Sequence, residues 1–253
     1  MARGFLSFVL FLAFNAGAFA QAPYEPHSGQ AGKDVVWVPT PQVTVDAMLD
    51  LAKVGPRDFV VDLGSGDGRL VISAAKRGAS ALGVEFTPEL VELSRRNAEK
   101  EGVASRATFV QGDLFQTDFS RASVVTLFLL TDLNVRLRPQ LLALKPGSRI
   151  VANTFNIGDW APDDSATIAE SEGCKYSWCV VHLWIVPAKV EGTYRTALGE
   201  VTFTQKYQKL SGTMTSEGRS APLAGVVRGE EISFTSGGRN YTGRLREGVL
   251  ELR

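Results

Sequence analysis

Between Asp62 and Gly68 the chain reads D-L-G-S-G-D-G, and the order of acids and glycines limits what this stretch can hold. Glycines let the backbone come close to a ligand and turn where a Cβ would clash. A dinucleotide fingerprint needs a small residue three positions after its second glycine, but Arg69 stands there. A P-loop needs a Lys followed by Ser or Thr, and that pair is missing. The flanking carboxylates of Asp62 and Asp67 would repel a pyrophosphate. An acid-flanked glycine loop suits a ligand with a positive group and no phosphate. S-adenosylmethionine (SAM), which carries a sulfonium and an ammonium, meets that description.

Further acids fall where such a ligand needs acceptors. Glu85 ends the apolar run SALGVE, at the distance from the loop where a carboxylate can accept from ribose hydroxyls. Asp113 closes FVQGD and can accept from an adenine amino group. An acid at a strand end, seen singly, is more often a helix cap or a solvated loop residue. Three at the ends of successive strands, the first on a glycine loop, form a constellation. The expected cofactor contacts are Asp62, Gly64, Ser65, Gly66, Glu85, Asp113 and Leu114. No catalytic base and no metal site is assigned.

The elements that must position these residues alternate. VTVDAMLDLAKVG has helical spacing of apolar residues, DFVVDLG is a short apolar strand, and RLVISAAKRG is a helix that Gly78 can end. SALGVEF is the next strand, followed by a helix with Thr87 at its N-cap and Pro88 in its first turn. ATFVQGDL, SVVTLFLL and GSRIVANTF are further strands, with LNVRLRPQLLAL a helix between the last two. This alternation predicts an α/β fold, a doubly wound and mostly parallel sheet, with ligands at the carboxyl ends of its strands. Leu129, Leu130, Thr131 and Asp132, after the fourth strand, are the expected acceptor wall.

DLGSGDG, GVEF, GDL and LKPGSRIV, in that order, resemble the Rossmann-like class I SAM-dependent methyltransferases. The likeness is greatest to the protein-lysine methyltransferases that include the mitochondrial enzymes acting on ATP synthase and on the adenine nucleotide translocase. In that subgroup a VPTP-like segment (Val38 to Pro41) precedes a helix, the loop reads DLGSGDGR, and a Pro-containing turn is followed by LV and a Ser-Arg pair, matched by Leu90-Val91 and Ser94-Arg95. Phe86 departs from the Asn common there. The resemblance covers about residues 35 to 162 and implies that the sheet is seven-stranded, with SAM as cofactor and a protein lysine as acceptor. An Asn/Asp-Pro-Pro-Tyr/Phe signature, used on adenine or glutamine amides, is absent after the fourth strand.

The chain's ends differ in character. Residues 1–20 combine Arg3, the apolar run FLSFVLFLAF and Ala18-Phe19-Ala20, the pattern of a cleaved export signal that leaves no stable membrane span. An uncleaved anchor or a misassigned start codon are the alternatives, so the expected location is periplasmic, membrane-associated or cytosolic respectively. Residues 21–34 are polar and expected to lack fixed structure. A methyltransferase domain is expected over 35–187. Over 188–253 helical periodicity gives way to short Thr-, Val- and Tyr-rich runs broken by Gly turns, predicting a small all-β domain, an antiparallel sheet or partly closed barrel. His182 reads as structural, Trp160 as packing or a mouth residue, and Cys174 and Cys179 as either a bridge or two buried thiols.

With 27 basic and 27 acidic residues, nucleic-acid binding has no electrostatic support. The expected function is methyl transfer to a protein lysine, with a small-molecule acceptor as a weaker option. The rival is an exported, non-catalytic protein that keeps the fold as a binding pocket, because SAM is made in the cytosol.

Overall fold

The computed structural model of the chain describes residues 24–176, 179–246 and 248–253. The export signal expected over residues 1–20 lies outside them. Helix α1 (Gln42–Leu51) is followed by β1 (Phe59–Leu63), α2 (Arg69–Lys76), β2 (Ser80–Glu85), α3 (Pro88–Lys100), β3 (Ala107–Gln111), β4 (Val124–Leu127), α4 (Thr131–Leu142) and β5 (Arg149–Asn153). Strands β6 (Asp164–Thr167) and β7 (Val180–Ile185) complete a first sheet in the order β3-β2-β1-β4-β5-β7-β6. Its first five strands are parallel and β7 runs antiparallel to both neighbours.

The central strands are buried along most of their length, as a sheet covered on both faces requires. Val45, Met48 and Leu49 of α1 pack with Leu70, Val71 and Ala74 of α2 on one face. Leu133, Leu137 and Leu141 of α4 meet Leu63, Leu127 and Ile150 on the other. Chain order reverses direction at β1 and β4, and that switch point opens a crevice at the strands' carboxyl ends.

The remaining strands, β8 (Gly192–Thr196), β9 (Gly199–Lys206), β10 (Lys209–Ser216), β11 (Arg219–Arg228), β12 (Glu231–Ser236), β13 (Arg239–Arg246) and β14 (Val249–Leu252), form an antiparallel meander. β14 returns beside β8, so the sheet curls toward a barrel. Its interior is filled by Val201, Phe203, Leu210, Met214, Leu223, Ile232 and Phe234. Turn residues with positive φ at Tyr207, Glu217, Gly229 and Gly237 join successive strands.

This second sheet docks at the amino ends of the parallel strands, away from the crevice. Ala188 donates its N–H to Gly229 (2.7 Å) and Gln208 Nε2 donates to the carbonyl of Ala161 (2.7 Å). A side chain at Gly229 would meet the backbone of Gly147, just before β5 begins. Trp160 is fully buried between Trp184 and Tyr207, with ring centroids 6.4 and 5.8 Å away. Trp184 faces Ile150, near the start of β5. Trp160 therefore packs at the joint between the two sheets and does not reach the crevice mouth.

Candidate active site

The glycine loop is held from beneath before any ligand arrives. Gly64, Gly66 and Gly68 all have positive φ (84°, 54° and 83°), which other residues reach only with strain. Gly64 and Ser65 donate their N–H groups to the carbonyl of Val84, at 2.8 and 3.0 Å. From α3, Ser94 Oγ donates to the carbonyl of Gly66 (2.8 Å) and Asn97 Nδ2 to that of Asp67 (2.9 Å). A Cβ on Gly68 would strike the Phe109 ring and Ser94. The Ser94-Arg95 pair singled out by the resemblance thus braces the site. Ser94 pins the loop, and Arg95 Nη2 donates to the carbonyl of Phe109 (2.9 Å).

Arg69, the residue that breaks the dinucleotide fingerprint, joins two segments. Its guanidinium forks onto the Asp67 carboxylate, with the shortest contact at 2.6 Å, and donates to the carbonyl of Thr40 at 2.7 Å. The VPTP segment is thereby fastened to the glycine loop. Asp67 has a cation of its own and is not one of the free acids of the site.

Asp62 and Glu85 are buried without a cationic partner among the described residues. Asp62 sits opposite Thr126 across the β1–β4 ladder and accepts from its hydroxyl at 2.6 Å. Burial pushes the Asp62 carboxyl up to about 7; the Thr126 hydrogen bond opposes this, and the charges of Glu85 and Asp67 add to it. Glu85 accepts from the N–H groups of Gly66 (3.0 Å) and Thr87 (2.9 Å), one on each oxygen. Each oxygen keeps a lone pair for a further donor. Thr87 therefore starts α3 with its N–H on Glu85, and its hydroxyl makes no cap. Ser65 Oγ is buried against Gly83 beside the Phe109 ring, with no hydrogen-bond partner among the described residues.

Asp113 differs. Its Oδ1 accepts from the Phe115 N–H (2.9 Å), and its Oδ2 is 2.5 Å from the ammonium of Lys33. That ammonium, with the Phe115 N–H, holds the Asp113 carboxyl below the usual carboxylate range. Residues 24–34, expected to lack fixed structure, have no helix or strand, but residues 30–34 line the crevice, where Lys33 meets Asp113.

All of the expected cofactor contacts, Asp62, Gly64, Ser65, Gly66, Glu85, Asp113 and Leu114, line one crevice. The acceptor wall needs correction. Of the expected residues only Leu129 lines the crevice, joined by Phe128 and Leu133. Thr131 and Asp132 form the first turn of α4, and Leu130 is its half-exposed N-cap. The helix starts earlier than the apolar run implied, so the wall is apolar. Asn134, fully buried, donates to the carbonyls of Leu129 (3.3 Å) and Asn156 (3.2 Å) and so ties this wall to the loop after β5. Sequence reasoning missed Lys33, Trp37, Phe128 and Leu133. Only the apolar register of α4 could have pointed to Leu133.

The other candidates are structural. His182 accepts from or donates to Ser165 Oγ (2.8 Å) on the β6–β7 face, and burial lowers its pKa. Cys174 and Cys179 are joined as a disulfide, Cα atoms 6.2 Å apart, tying the loop before β7. Among the described residues no group of His, Cys, Asp and Glu is arranged to hold a metal.

The strand order, the glycine loop after β1 and the acids at the next strand ends define a SAM-dependent methyltransferase. Residues 62–164 match the ANTKMT methyltransferase domain. The protein-lysine N-methyltransferase of Saccharolobus islandicus is 46% identical over 144 residues, 56% of this chain and 85% of that enzyme. The chain belongs to the same methyltransferase family. The adenine nucleotide translocase lysine N-methyltransferase of Mus musculus is 34% identical over 47% of this chain and 52% of its own length. An RNA methyltransferase from Salinibacter ruber, solved with S-adenosyl-L-homocysteine (SAH), superposes with a TM-score of 0.55 at 46% identity, covering 60% of this chain and 96% of that one. The cofactor is SAM.

Proposed function

We propose that the protein moves a methyl group from SAM to the ε-amine of a lysine on a protein acceptor. The observation that carries the reading is the pairing of two uncompensated carboxylates, Asp62 and Glu85, with an apolar wall of Phe128, Leu129 and Leu133. The donor and acceptor chemistry fits the cofactor: acceptors for an ammonium and for ribose hydroxyls, and glycines that leave room along the backbone. When SAM is bound, Asp62 would accept from its ammonium end, Glu85 from the ribose and Asp113 from the adenine amino group. Bound SAM supplies an electrophilic methyl on a sulfonium.

The chain's part is alignment and drying. Holding an amine in line with the methyl is worth up to ~7–11 kcal/mol in well-oriented systems. A lysine must lose its proton first, and the apolar wall lowers its pKa from ~10.4 by disfavouring the ammonium. Asn134 keeps that wall in place. No general base is assigned.

An RNA acceptor is the second reading, favoured by the likeness to the Salinibacter ruber RNA methyltransferase; the balanced charge of this chain argues against it. The test is incubation of the purified protein and methyl-labelled SAM with extract, followed by hydrolysis. Label in methyl-lysine is expected; label only in RNA or small molecules overturns the lysine assignment. Export directed by residues 1–20 belongs to the proposal, and no helix among the described residues is long and apolar enough to cross a membrane. A reporter fused after Gln21 is expected to be active outside the cytoplasmic membrane.

A further inference from the structure

The adenine end of the crevice already has an occupant. Gly29 donates its N–H to Trp37 (2.8 Å) and Trp37 donates back to Gln30 (2.9 Å), closing residues 29–37 into a small loop. Gln30 is braced in turn, donating from Nε2 to Tyr24 Oη (2.6 Å) and accepting from the His27 N–H (3.0 Å). At one end of this loop the Lys33 ammonium lies 2.5 Å from Asp113 Oδ2 and 5.0 Å from the centre of the Phe86 ring. At the other, the Trp37 indole presses on Gly66, where an added Cβ would lie 2.5 Å from Nε1. The space left in the crevice is about 120 Å³, against the roughly 300–1,000 Å³ of pockets that take a small ligand.

We propose that residues 29–37 are an autoinhibitory strap that competes with the adenosyl group, the Lys33 ammonium standing in for the adenine amino donor on Asp113. This rests on the assignment of Asp113 made above. Both donors are drawn to the same carboxylate, which already accepts from the Phe115 N–H on Oδ1 and from the Lys33 ammonium on Oδ2. Cofactor and strap therefore compete for Asp113 and for the space beside it. The ion pair is partly exposed, with 34% and 28% of the two side chains accessible, so the latch is weak and made to open. Phe86, which departs from the Asn of the resembling subgroup, gives the cation a ring face that an amide would not offer.

The experiment is calorimetric titration of SAH into the full chain and into Lys33→Ala, at low and high salt, beside trypsin cleavage after Lys33 followed by mass spectrometry. Lys33→Ala is expected to bind SAH about two- to five-fold more tightly at low salt, with the gain shrinking as salt screens the pair. SAH is expected to speed cleavage after Lys33 in the unaltered chain by freeing the strap. Weaker binding by the variant, or slower cleavage with SAH, would mean that the strap closes over the cofactor as a lid, and overturns the proposal. If neither protein binds SAH, the cofactor assignment fails with it. If the unaltered chain binds and Lys33→Ala is no tighter, only the strap is lost.

Discussion

The two ends of the parallel sheet treat their acids in opposite ways. At the carboxyl ends, Asp62 and Glu85 are buried with hydroxyl and backbone donors but, among the described residues, no cation. At the amino ends, where the β meander docks, the acids of the joint are matched by cations. Asp159 meets Arg138 (2.6 Å), Lys206 (3.0 Å) and the Tyr207 hydroxyl (2.8 Å), and Asp163 lies 3.6 Å from Arg228. Arg228, Glu231, Arg244 and Glu251 then alternate in sign across β11 to β14, along a groove of about 920 Å³. A surface that cancels its own charge is built to hold two parts of one chain together. A cleft that leaves carboxylates uncompensated, at a cost to folding, is built for a cationic ligand.

The largest effect expected is at the docking end. Trp160→Ala removes a fully buried indole that fills the joint between Trp184 and Tyr207, and is expected to cost ~3–5 kcal/mol in denaturant unfolding. SAH affinity of the folded fraction should not change. A change in affinity would mean that the meander shapes the cleft, contrary to its place at the far end of the sheet.

Asp62→Asn is expected to act in opposite directions on binding and on folding. Loss of a charged acceptor should weaken SAH binding by about 1.5–3 kcal/mol. Stability at pH 8 should rise by about 1–3 kcal/mol, because ionising a buried carboxyl is no longer required and Asn can still accept from Thr126. The pH dependence follows from the raised pKa of about 7. The folded state holds this proton more tightly than the unfolded chain, so stability falls as pH rises from the ordinary carboxylate range to about 7, then levels. Binding runs the other way: SAH affinity should fall as pH drops through 7, approaching ten-fold per unit. Urea midpoints and calorimetry between pH 5 and 8 give both curves, and Asp62→Asn should flatten both. If the mutant keeps the slopes, another group titrates.

Much of this contrast is legible in the residues. The acids and glycines from Asp62 to Gly68, with Glu85 and Asp113, mark the cleft because a strand end, a tight turn and a carboxylate leave a local pattern. The meander's strands are equally plain, since Gly turns punctuate β-branched runs. What the sequence hides depends on contacts distant along the chain. Lys33 and Asp113 are 80 positions apart, and nothing local shows that the arm folds over the crevice. Arg69 looks like a departure from a motif until its contact with Thr40 is seen. Trp160 and Tyr207 meet across 47 residues, so the sequence favours packing for a loop tryptophan over a place at the mouth without showing what it packs against. The start of α4 departs from expectation because Leu129 and Leu130 continue an apolar strand pattern into what is the helix cap.

The smallest effect gives the finest test of the comparison. Lys206 is largely exposed, with 71% of its side chain accessible, and Asp159 keeps Arg138 and Tyr207 when it is removed. Lys206, the Tyr207 hydroxyl and Arg138 hold the Asp159 carboxyl far below its ordinary range, yet solvent screens an exposed cluster and leaves little of that as stability. Lys206→Ala is therefore expected to leave the thermal midpoint unchanged at neutral pH and physiological salt. Asp159→Ala should lower it visibly, since Arg138 then loses its carboxylate and the Tyr207 hydroxyl its acceptor. Whatever Asp159 contributes should be present at neutral pH and lost only as acid titrates the folded carboxyl. Should Lys206→Ala destabilise the protein as much as Trp160→Ala, the two sheets would be held by charge instead of by aromatic packing, and the contrast between the two ends of the sheet would no longer stand.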